Sequence, residues 1–580
     1  MIRRSTQRSA RVWTRTVAAT ATAGLLTALV PLTMSTAQAA PSAKAPKGKA
    51  AACDNQNNNT YQKLLQCISA DSVLKHERAF QAIADRNQDP NYPGSRAAGT
   101  QGYDESAEYV ASTLRKAGWK VTLDPVDVTY YFPAILRQLT PTQADYETGI
   151  FTGSGFGTVE GNVIPVDVNL TGDRASDSGC EAADFAGLDF SGADDIALIQ
   201  RGTCGFANKA RNAEDAGAEA VIIFNQGNAP DREELIVGTA ANLDEGGPSN
   251  LTIPVVGASF ADGVALAQPG STAFIEVLEP EIREDFNVMA EKPGKNKNNV
   301  VMAGAHLDSV EAGPGINDNG SGSAALIDLA QKLRKVNNEN TLRFGWWAAE
   351  EQGLVGSADY VEGLPQSERD RIAAYLNFDM IGSPNFIYGV YDADESTFPA
   401  PVEVPTGSEA LEDLFETFFT WQDIPYEDSE FSGRSDYEAF ILNDIPSSGL
   451  FTGAEVPKTE EQEAIWEGVA GEAFDPCYHA ECDNLTGEGE RDEAVYAELD
   501  AENDLVGNVS KEALGVNADA IAFAVLTLAY STQDVNGVKG KQVPGSKPLG
   551  LPEEFAGPEG TFAGGGGGLS HDHGHPGEAR

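Results

Sequence analysis

Apolar and polar positions first alternate with a helical period. Between Glu105 and Gly118, apolar residues from Ala107 to Leu114 recur at intervals of three and four, and a glycine follows the last of them. This spacing predicts an amphipathic helix that ends at the glycine. The run Lys120–Leu123 directly after it predicts a strand.

The pattern changes between about residues 129 and 282. Short apolar runs such as Asp195–Ile199 and Ala220–Phe224 are separated by glycine, aspartate and other turn-forming residues. One helix is predicted in this region, over Phe206–Gly217. Many short strands joined by turns indicate a separate, mainly β unit inserted in the chain.

From about Phe286 buried strands and helices alternate. The apolar run Val300–Ala305 predicts a strand, Ser323–Val336 a helix, and Leu342–Ala348 and Ala373–Phe378 two further strands. This rhythm predicts an α/β fold with a mostly parallel, twisted central sheet flanked by helices on both faces. In such sheets ligands bind beyond the carboxyl ends of the strands.

The chain is therefore divided into five parts. Residues 1–39 form a predicted signal peptide, with arginines first, an apolar run over Val17–Leu32 and a cleavage site at Ala37–Ala39. The pair Arg3-Arg4 leaves a twin-arginine route open beside the general secretory route. Residues 40–128 begin the main domain, 129–282 are the insert, 283–532 complete the main domain, and 533–580 are a flexible tail rich in Gly and His. We expect a secreted, extracellular protein.

Charge narrows the class of partner. The 580 residues include 40 Lys and Arg against 88 Asp and Glu, a formal net charge of −48. Nucleic acids and anionic membranes are recognised by clustered basic residues, so neither is expected as a partner. We expect a soluble monomer.

The six cysteines are expected to form local disulfides, since an exported chain meets an oxidising compartment. The expected pairs are Cys53 with Cys67, Cys180 with Cys204, and Cys477 with Cys482. A cysteine zinc site is the alternative, which the absence of any Cys-x-x-Cys pair disfavours.

Histidines and acids lie after the predicted strands, inside a glycine-rich loop and between Cys477 and Cys482. These residues are His306, Asp308, Asp318, Glu350, Glu351, Asp379 and His479. Zinc prefers imidazole and carboxylate ligands. Two histidines and three carboxylates can hold two ions that share one carboxylate. Because the side chains of two consecutive glutamates diverge, one of them can bind metal while the other acts as a base. His76 lies on a polar-looking helix and is expected to have no role.

Two resemblances rest on these motifs. The runs His306–Gly322, Trp346–Glu351, Leu376–Ser383 and Cys477–Cys482 resemble the secreted actinobacterial leucine aminopeptidases, a family of co-catalytic di-zinc exopeptidases. The passage Ile196–Asn225 resembles the protease-associated domain, which implies substrate gating or docking.

The first resemblance implies a role for each residue of the site. His306, Asp318 and Asp379 would hold one zinc, and Asp318, Glu351 and His479 would hold the other. Glu350 would be the general base, and Asp308 would orient the His306 imidazole. Tyr478 would donate a hydrogen bond to the developing oxyanion.

The resemblance also implies the substrate, the N-terminus of a peptide or protein. The free amine would lie near Glu350 and Asp379, with the backbone of Arg434 nearby. Met380 and Phe451 would line an apolar pocket, so leucine or another large apolar first residue is expected.

The sequence departs from the family at several positions. Tyr437 stands where a histidine is common, and an acidic insert runs from Gly487 to Glu502. Some relatives bind calcium through two acids near the last helix; Asp519 fits one position, but Gly515 occupies the other, so calcium is doubtful here.

Three other interpretations stay open. The scaffold also suits a carboxypeptidase or dipeptidase, a non-catalytic binding module, and a single-zinc cyclase of N-terminal glutamine.

Overall fold

The computed structural model describes Cys53, residues 55–241 and residues 251–546. The predicted signal peptide and the tail beyond residue 546 lie outside the described residues.

The described strands form an eight-stranded sheet, a seven-stranded sheet and a two-stranded ribbon. In chain order they are β1 (Lys120–Tyr130), β2 (Ile135–Thr140), β3 (Ala144–Tyr146), β4 (Gly157–Val166), β5 (Ile196–Gln200), β6 (Ala220–Phe224), β7 (Val255–Ala258), β8 (Thr272–Val277), β9 (Glu281–Lys292), β10 (Asn296–His306), β11 (Asn340–Trp347), β12 (Ile372–Phe378), β13 (Gly389–Tyr391), β14 (Glu427–Ser429), β15 (Ser447–Phe451), β16 (Leu505–Val506) and β17 (Val509–Ser510).

The described helices pack on these sheets. They are α1 (Tyr61–Leu65), α2 (Ala70–Ala84), α3 (Gln101–Ala117), α4 (Phe206–Ala216), α5 (Phe260–Leu266), α6 (Gly320–Leu333), α7 (Val355–Gly363), α8 (Gln366–Arg369), α9 (Glu409–Gln422), α10 (Glu438–Ile441), α11 (Glu460–Trp466), α12 (Glu493–Asn503), α13 (Lys511–Tyr530) and α14 (Gln533–Asn536). Two short 3₁₀ turns cover Ala182–Phe185 and Pro230–Arg232.

The eight-stranded sheet belongs to the main domain. Its order is β1-β9-β11-β10-β12-β15-β13-β14. The central strands β11, β10, β12 and β15 are parallel neighbours, whereas β9 joins β11 antiparallel and β1 joins β9 antiparallel. The α/β fold is confirmed, with a parallel centre and antiparallel pairs towards both edges.

Both faces of this sheet are buried. Along β10, Val300 and Met302 point into one apolar cluster, and Val301 and Ala303 point into the other. This alternation follows from the two-residue period of a strand. Among the described residues, one helix, α13, is long and apolar enough to cross a membrane, and it is buried in the larger cluster.

The seven-stranded sheet lies between β1 and β9 in the chain. Its order is β3-β2-β8-β4-β5-β6-β7, with β4 to β7 parallel. Because β1 and β9 pair along their whole length, from Lys120↔Glu291 to Tyr130↔Glu281, the insert leaves and rejoins the main domain at one place. We call this place the root of the insert.

The disulfide pairing predicted from the sequence is present in the structure. Cys53 is bonded to Cys67, Cys180 to Cys204, and Cys477 to Cys482. The first bond is made just after α1 and the second lies in the insert, so neither encloses a residue of the candidate site. The third bond encloses His479 and therefore bears on the candidate site.

Helix ends and tertiary packing account for the differences from the sequence patterns. Helix α3 begins four residues before the predicted start, where the side chain of Thr100 caps it. His76 is buried, not on a polar surface, and its Nδ1 lies 2.7 Å from the hydroxyl of Tyr109.

Candidate metal centre and active site

Three adjacent parallel strands bring the candidate ligands to one edge of the sheet. Strand β10 ends at His306, β11 leads into Glu350 and Glu351, and β12 ends just before Asp379. Since β11, β10 and β12 are neighbours, their carboxyl ends meet, as expected for an α/β site.

Asp318 lies between the two histidines. Its Oδ1 is 3.1 Å from His306 Nε2, and its Oδ2 is 3.4 Å from His479 Nε2. The glycine-rich loop 313–320 carries this carboxylate, and Gly315 has a φ of +57°, which favours glycine. One carboxylate is thereby directed towards two imidazoles.

Each histidine has a second acid. His306 Nε2 is 3.4 Å from Asp379 Oδ1, and His479 Nε2 is 3.0 Å from Glu351 Oε2. Glu350 is farther away, with its Oε2 4.0 Å from His306 Nε2. Two compact groups of donor atoms share Asp318, and each could hold one ion; a third compact group joins His306, Glu350 and Glu351.

The acids strongly favour positive charge at both histidines. Burial opposes protonation of His306, but Asp379 and Glu350 raise its pKa well above the usual value. Burial also opposes protonation of His479, but its partners Asp318 and Glu351 outweigh burial and raise the pKa of His479 to about 10. The site is short of cationic charge.

The acids themselves are crowded. Burial and the charge of Asp318 raise the pKa of Glu351 to about 7, and burial raises the pKa of Glu350 well above its usual value. Asp318 differs, because hydrogen bonds with both histidines outweigh its burial and lower its pKa. A bound cation would offset the repulsion between these buried carboxylates.

Two buried oxygen atoms identify where a metal fits. Asp379 Oδ1 and Glu351 Oε1 are buried, and neither has a hydrogen-bond partner among the described residues. A buried carboxylate oxygen without a partner is costly unless a cation coordinates it. The set of imidazoles and carboxylates suits zinc.

The other oxygen of Asp379 is held by a directional chain of hydrogen bonds. Trp347 Nε1, which can only donate, bonds to the Tyr375 hydroxyl at 2.8 Å, and this hydroxyl donates to Asn377 Oδ1 at 2.9 Å. The Asn377 amide then donates to Ser435 Oγ at 2.8 Å, and Ser435 donates to Asp379 Oδ2 at 2.6 Å. Asp379 Oδ1 is left free for a ligand.

Asp308 contacts the glutamates more directly than the imidazole. Its carboxylate accepts the backbone N–H groups of Glu350 at 3.2 Å and Glu351 at 3.3 Å. His306 Nδ1 lies 3.2 Å from the carbonyl oxygen of Asp308 and 3.5 Å from its carboxylate. Asp308 therefore ties the first histidine to the turn that carries both glutamates.

Tyr478 is adjacent to His479 and stacks on its ring at 3.8 Å between centroids. Its hydroxyl accepts a hydrogen bond from Arg434 Nη2 at 3.2 Å, and Arg434 also pairs with Glu455 at 2.7 Å. Burial raises the pKa of Tyr478. The hydroxyl therefore keeps its proton and, since arginine donates to it, can direct that proton elsewhere.

The two predicted pocket residues lie at neighbouring strand ends. Met380 follows β12 and is buried, while Phe451 ends β15 and is half-buried. The Met380 carbonyl accepts the N–H of Thr452 at 3.0 Å, which joins the two segments. Their role in specificity stays a prediction.

Tyr437 holds the loop that contains Arg434 and Ser435. Its buried ring packs against Tyr391, and its hydroxyl accepts the N–H of Gly433 at 2.9 Å. Asp519, the remaining calcium candidate, belongs to none of the groups of three or more acids, histidines or cysteines among the described residues.

Buried residues behind the site were missed by the sequence patterns. Asp483 accepts the N–H of Asn317 at 2.8 Å and the N–H of Asp318 at 3.0 Å, one on each oxygen. Asn508 donates to Asp483 at 2.9 Å and to Asp475 at 2.9 Å. These two aspartates flank the disulfide loop of His479, so they join the two halves of the centre.

Arg96 was also missed. It is fully buried, and its guanidinium donates to the carbonyls of Leu307, Pro314 at 2.7 Å and Gly315 at 2.6 Å. It thus holds the loop of Asp318 against the end of β10. Asp475 and Asp483 could have been found from the sequence because they flank the cysteines around His479. No sequence pattern pointed to Arg96.

Comparisons with known proteins show which peptidases this chain is similar to. Residues 287–495 match the model of peptidase family M28, and residues 159–266 match that of the PA domain. An aminopeptidase of Pseudomonas aeruginosa is 44% identical over 483 residues, which cover 82% of this chain and 83% of the relative. Leucine aminopeptidase 2 of Trichophyton equinum is 35% identical, covering 81% and 86%. A probable lipoprotein aminopeptidase of Mycobacterium tuberculosis is 38% identical, covering 81% and 87%.

Solved structures share the fold. An aminopeptidase from Aneurinibacillus sp. strain AM-1 has a TM-score of 0.52 at 25% identity, covering 83% of this chain and 97% of its own. A zinc aminopeptidase from Bacillus subtilis has a TM-score of 0.53 at 24% identity, covering 79% and 94%.

The α/β sheet with a histidine–carboxylate centre at its carboxyl edge defines a metallopeptidase with a PA-domain insert. The chain belongs to peptidase family M28. The family and the insert predicted from the sequence are confirmed.

Proposed function

We propose that this protein is a secreted zinc aminopeptidase that removes the N-terminal residue from peptides, preferring leucine or another large apolar residue. The observation that carries the proposal is Asp318, whose two oxygens face two different histidines at 3.1 and 3.4 Å. Membership of family M28 and relatives named aminopeptidases support the reaction class.

Two zinc ions per chain fit the residues. His306 and Asp379 would hold the first, Glu351 and His479 the second, and Asp318 both. When bound, zinc supplies a Lewis acid for the peptide carbonyl and the attacking water. Asp308 and Asp483 fix the segments on which these ligands stand.

Glu350 acts as the general base. It is not needed as a ligand, lies 4.0 Å from His306 and takes a proton from the attacking water. Its buried surroundings favour holding that proton until it passes to the leaving amine. Tyr478 keeps its proton and donates a hydrogen bond to the developing oxyanion.

The acidic surroundings select a chain end. The carboxylates of Glu350 and Asp379 supply negative charge for the free amine of a substrate, and an internal peptide bond has no such group. Met380 and Phe451 would contact the first side chain. The three disulfides fit an exported, oxidised protein, which we expect to act as a monomer.

A panel of aminoacyl p-nitroanilides tests the proposal. Leucine, phenylalanine and methionine derivatives should be hydrolysed, N-acetyl-leucine p-nitroanilide should not, and a chelator should abolish activity until zinc is restored. Hydrolysis of the acetylated substrate at a similar rate would contradict the aminopeptidase assignment. Release of C-terminal residues from N-blocked peptides would favour the carboxypeptidase alternative.

A further inference from the structure

The two glutamates stand on a tight turn, residues 349–355, which we call the glutamate turn. Ala349 and Leu354 have φ angles of +53° and +61°. Non-glycine residues in this left-handed region cost on the order of 1 kcal/mol each and persist only where neighbouring contacts hold them. The contacts that hold this turn therefore matter for the position of Glu350.

Asp308 holds one side of the turn through the N–H groups of both glutamates. The other side is held by Gln352, the next residue along the chain. Its Nε2 donates to the Thr129 carbonyl at 2.8 Å, and its Oε1 accepts the Thr129 N–H at 3.0 Å. One side-chain amide thus pairs with both polar backbone groups of one residue.

Thr129 lies at the root of the insert. Strand β1 is the edge of the main sheet, so Thr129, opposite Ile282, has backbone groups that point away from β9. There the side-chain amide of Gln352 makes the two hydrogen bonds that a further strand would otherwise make with Thr129. The next residue, Tyr130, is fixed by the Arg283 guanidinium 3.3 Å from its ring centroid and by a 2.6 Å hydrogen bond to Asp89.

We propose that Gln352 is a positioning residue that joins the root of the insert to the glutamate turn and so sets the position of Glu350. The inference rests on the proposed function, in which Glu350 is the general base. A displacement of a base by about 1 Å lowers a rate as much as about 100-fold.

Full-length variants test the inference with leucine p-nitroanilide. Gln352→Ala should lower kcat at least tenfold with little change in KM, zinc content or Tm. Gln352→Glu keeps the acceptor for the Thr129 N–H but sets a carboxylate oxygen against the Thr129 carbonyl, so it should also lower kcat. Gln366→Ala is the matched control, since this exposed amide bonds to Asp370 and Arg369, both within its own surface turn.

Thr129→Pro removes one of the two hydrogen bonds of this contact from the other side. It deletes the N–H that Gln352 accepts and spares the β1–β9 ladder, because an outward-facing N–H on an edge strand is where proline is tolerated. The double variant with Gln352→Ala should be no slower than Gln352→Ala alone. Wild-type kcat in Gln352→Ala, additive losses in the double variant, or a matching loss of Tm or zinc would each overturn the inference. Absence of activity in the wild type would instead reject the proposed function.

Discussion

The two sheets of this protein contain the same kind of buried parallel strand, but the polar residues at the strand ends serve different purposes. Each has buried parallel strands, and the residues of β5 and β6 in the insert are as deeply buried as those of β12 and of β10 from Asn299 onwards in the main domain. In the insert, polar residues at the strand ends bond to the backbone. Gln200 donates to the carbonyls of Asn169 and Gln226 at 3.1 and 3.0 Å, and Asn225 donates to Glu234 at 2.9 Å.

In the main domain, two carboxylate oxygens of residues that follow the strands lack a hydrogen-bond partner among the described residues. These are Asp379 Oδ1 and Glu351 Oε1, whereas in the described part of the insert no buried side-chain nitrogen or oxygen lacks one. The same strand topology thus supports structure in one sheet and a candidate reaction centre in the other. Unsatisfied acids, rather than the fold, distinguish the two.

The largest effect is expected at Glu350. Glu350→Ala should lower kcat by about 10³-fold, because it removes the proposed general base, and should leave zinc content unchanged. Elemental analysis beside the kinetics checks this. Loss of zinc in this variant, with retention in Glu351→Ala, would mean that the two glutamates have exchanged roles.

A smaller effect is expected at Tyr478. Tyr478→Phe removes the proposed donor to the oxyanion and should lower kcat by about 100-fold with a small change in KM. Tyr146→Phe is the control in the insert, since it deletes a comparable hydroxyl bonded to Gln138 at 2.6 Å. Equal kcat in the two variants would remove Tyr478 from the mechanism.

Asp483 tests whether the buried support of the centre matters for metal binding. Asp483→Asn replaces one of two accepting oxygens with a donor and should weaken zinc binding by about 10- to 100-fold, as measured by dialysis against buffered zinc. Asp195→Asn is the matched control, because this buried aspartate accepts the N–H of Gly192 at 2.9 Å within the insert. Equal zinc affinities for both variants would show that Asp483 serves only the fold.

The last prediction concerns the stability of the insert, through Lys209. Burial lowers its pKa to about 8, and its ammonium donates to the carbonyls of Ser178 and Gln200. The unfolded chain binds more protons between pH 8 and pH 10.5, so the free energy of unfolding of the wild type relative to Lys209→Met should rise with pH there, by at most about 1.4 kcal/mol per unit. Urea midpoints at about pH 7, 9 and 10 measure it, and a constant difference would contradict it.

Local patterns were sufficient for much of this molecule. The convergence of the candidate ligands other than His479 was predictable because they follow apolar strands or sit among glycines, and parallel strands bring their ends together whatever the loops between them. The cysteine pairs were predictable because each joins near neighbours in the chain, as Cys53 with Cys67 and Cys180 with Cys204 show. Helix ends shifted by a few residues where caps such as Thr100 extend the first turn.

Contacts between distant residues were not predictable. The series of hydrogen bonds from Trp347 to Asp379 joins segments that share no local sequence pattern. The pairing of Gln352 with Thr129 does the same. His76 was misjudged for the same reason: its polar neighbours indicate an exposed face, but packing of α2 against the core buries it. Such burial depends on what the fold places opposite a residue.

Crystals grown with zinc, measured at the zinc absorption edge, test the central claim most directly. Two anomalous peaks are expected, one beside His306 and Asp379 and the other beside His479 and Glu351, with Asp318 in contact with both. A single peak, or peaks that Asp318 does not bridge, would contradict the shared-carboxylate centre.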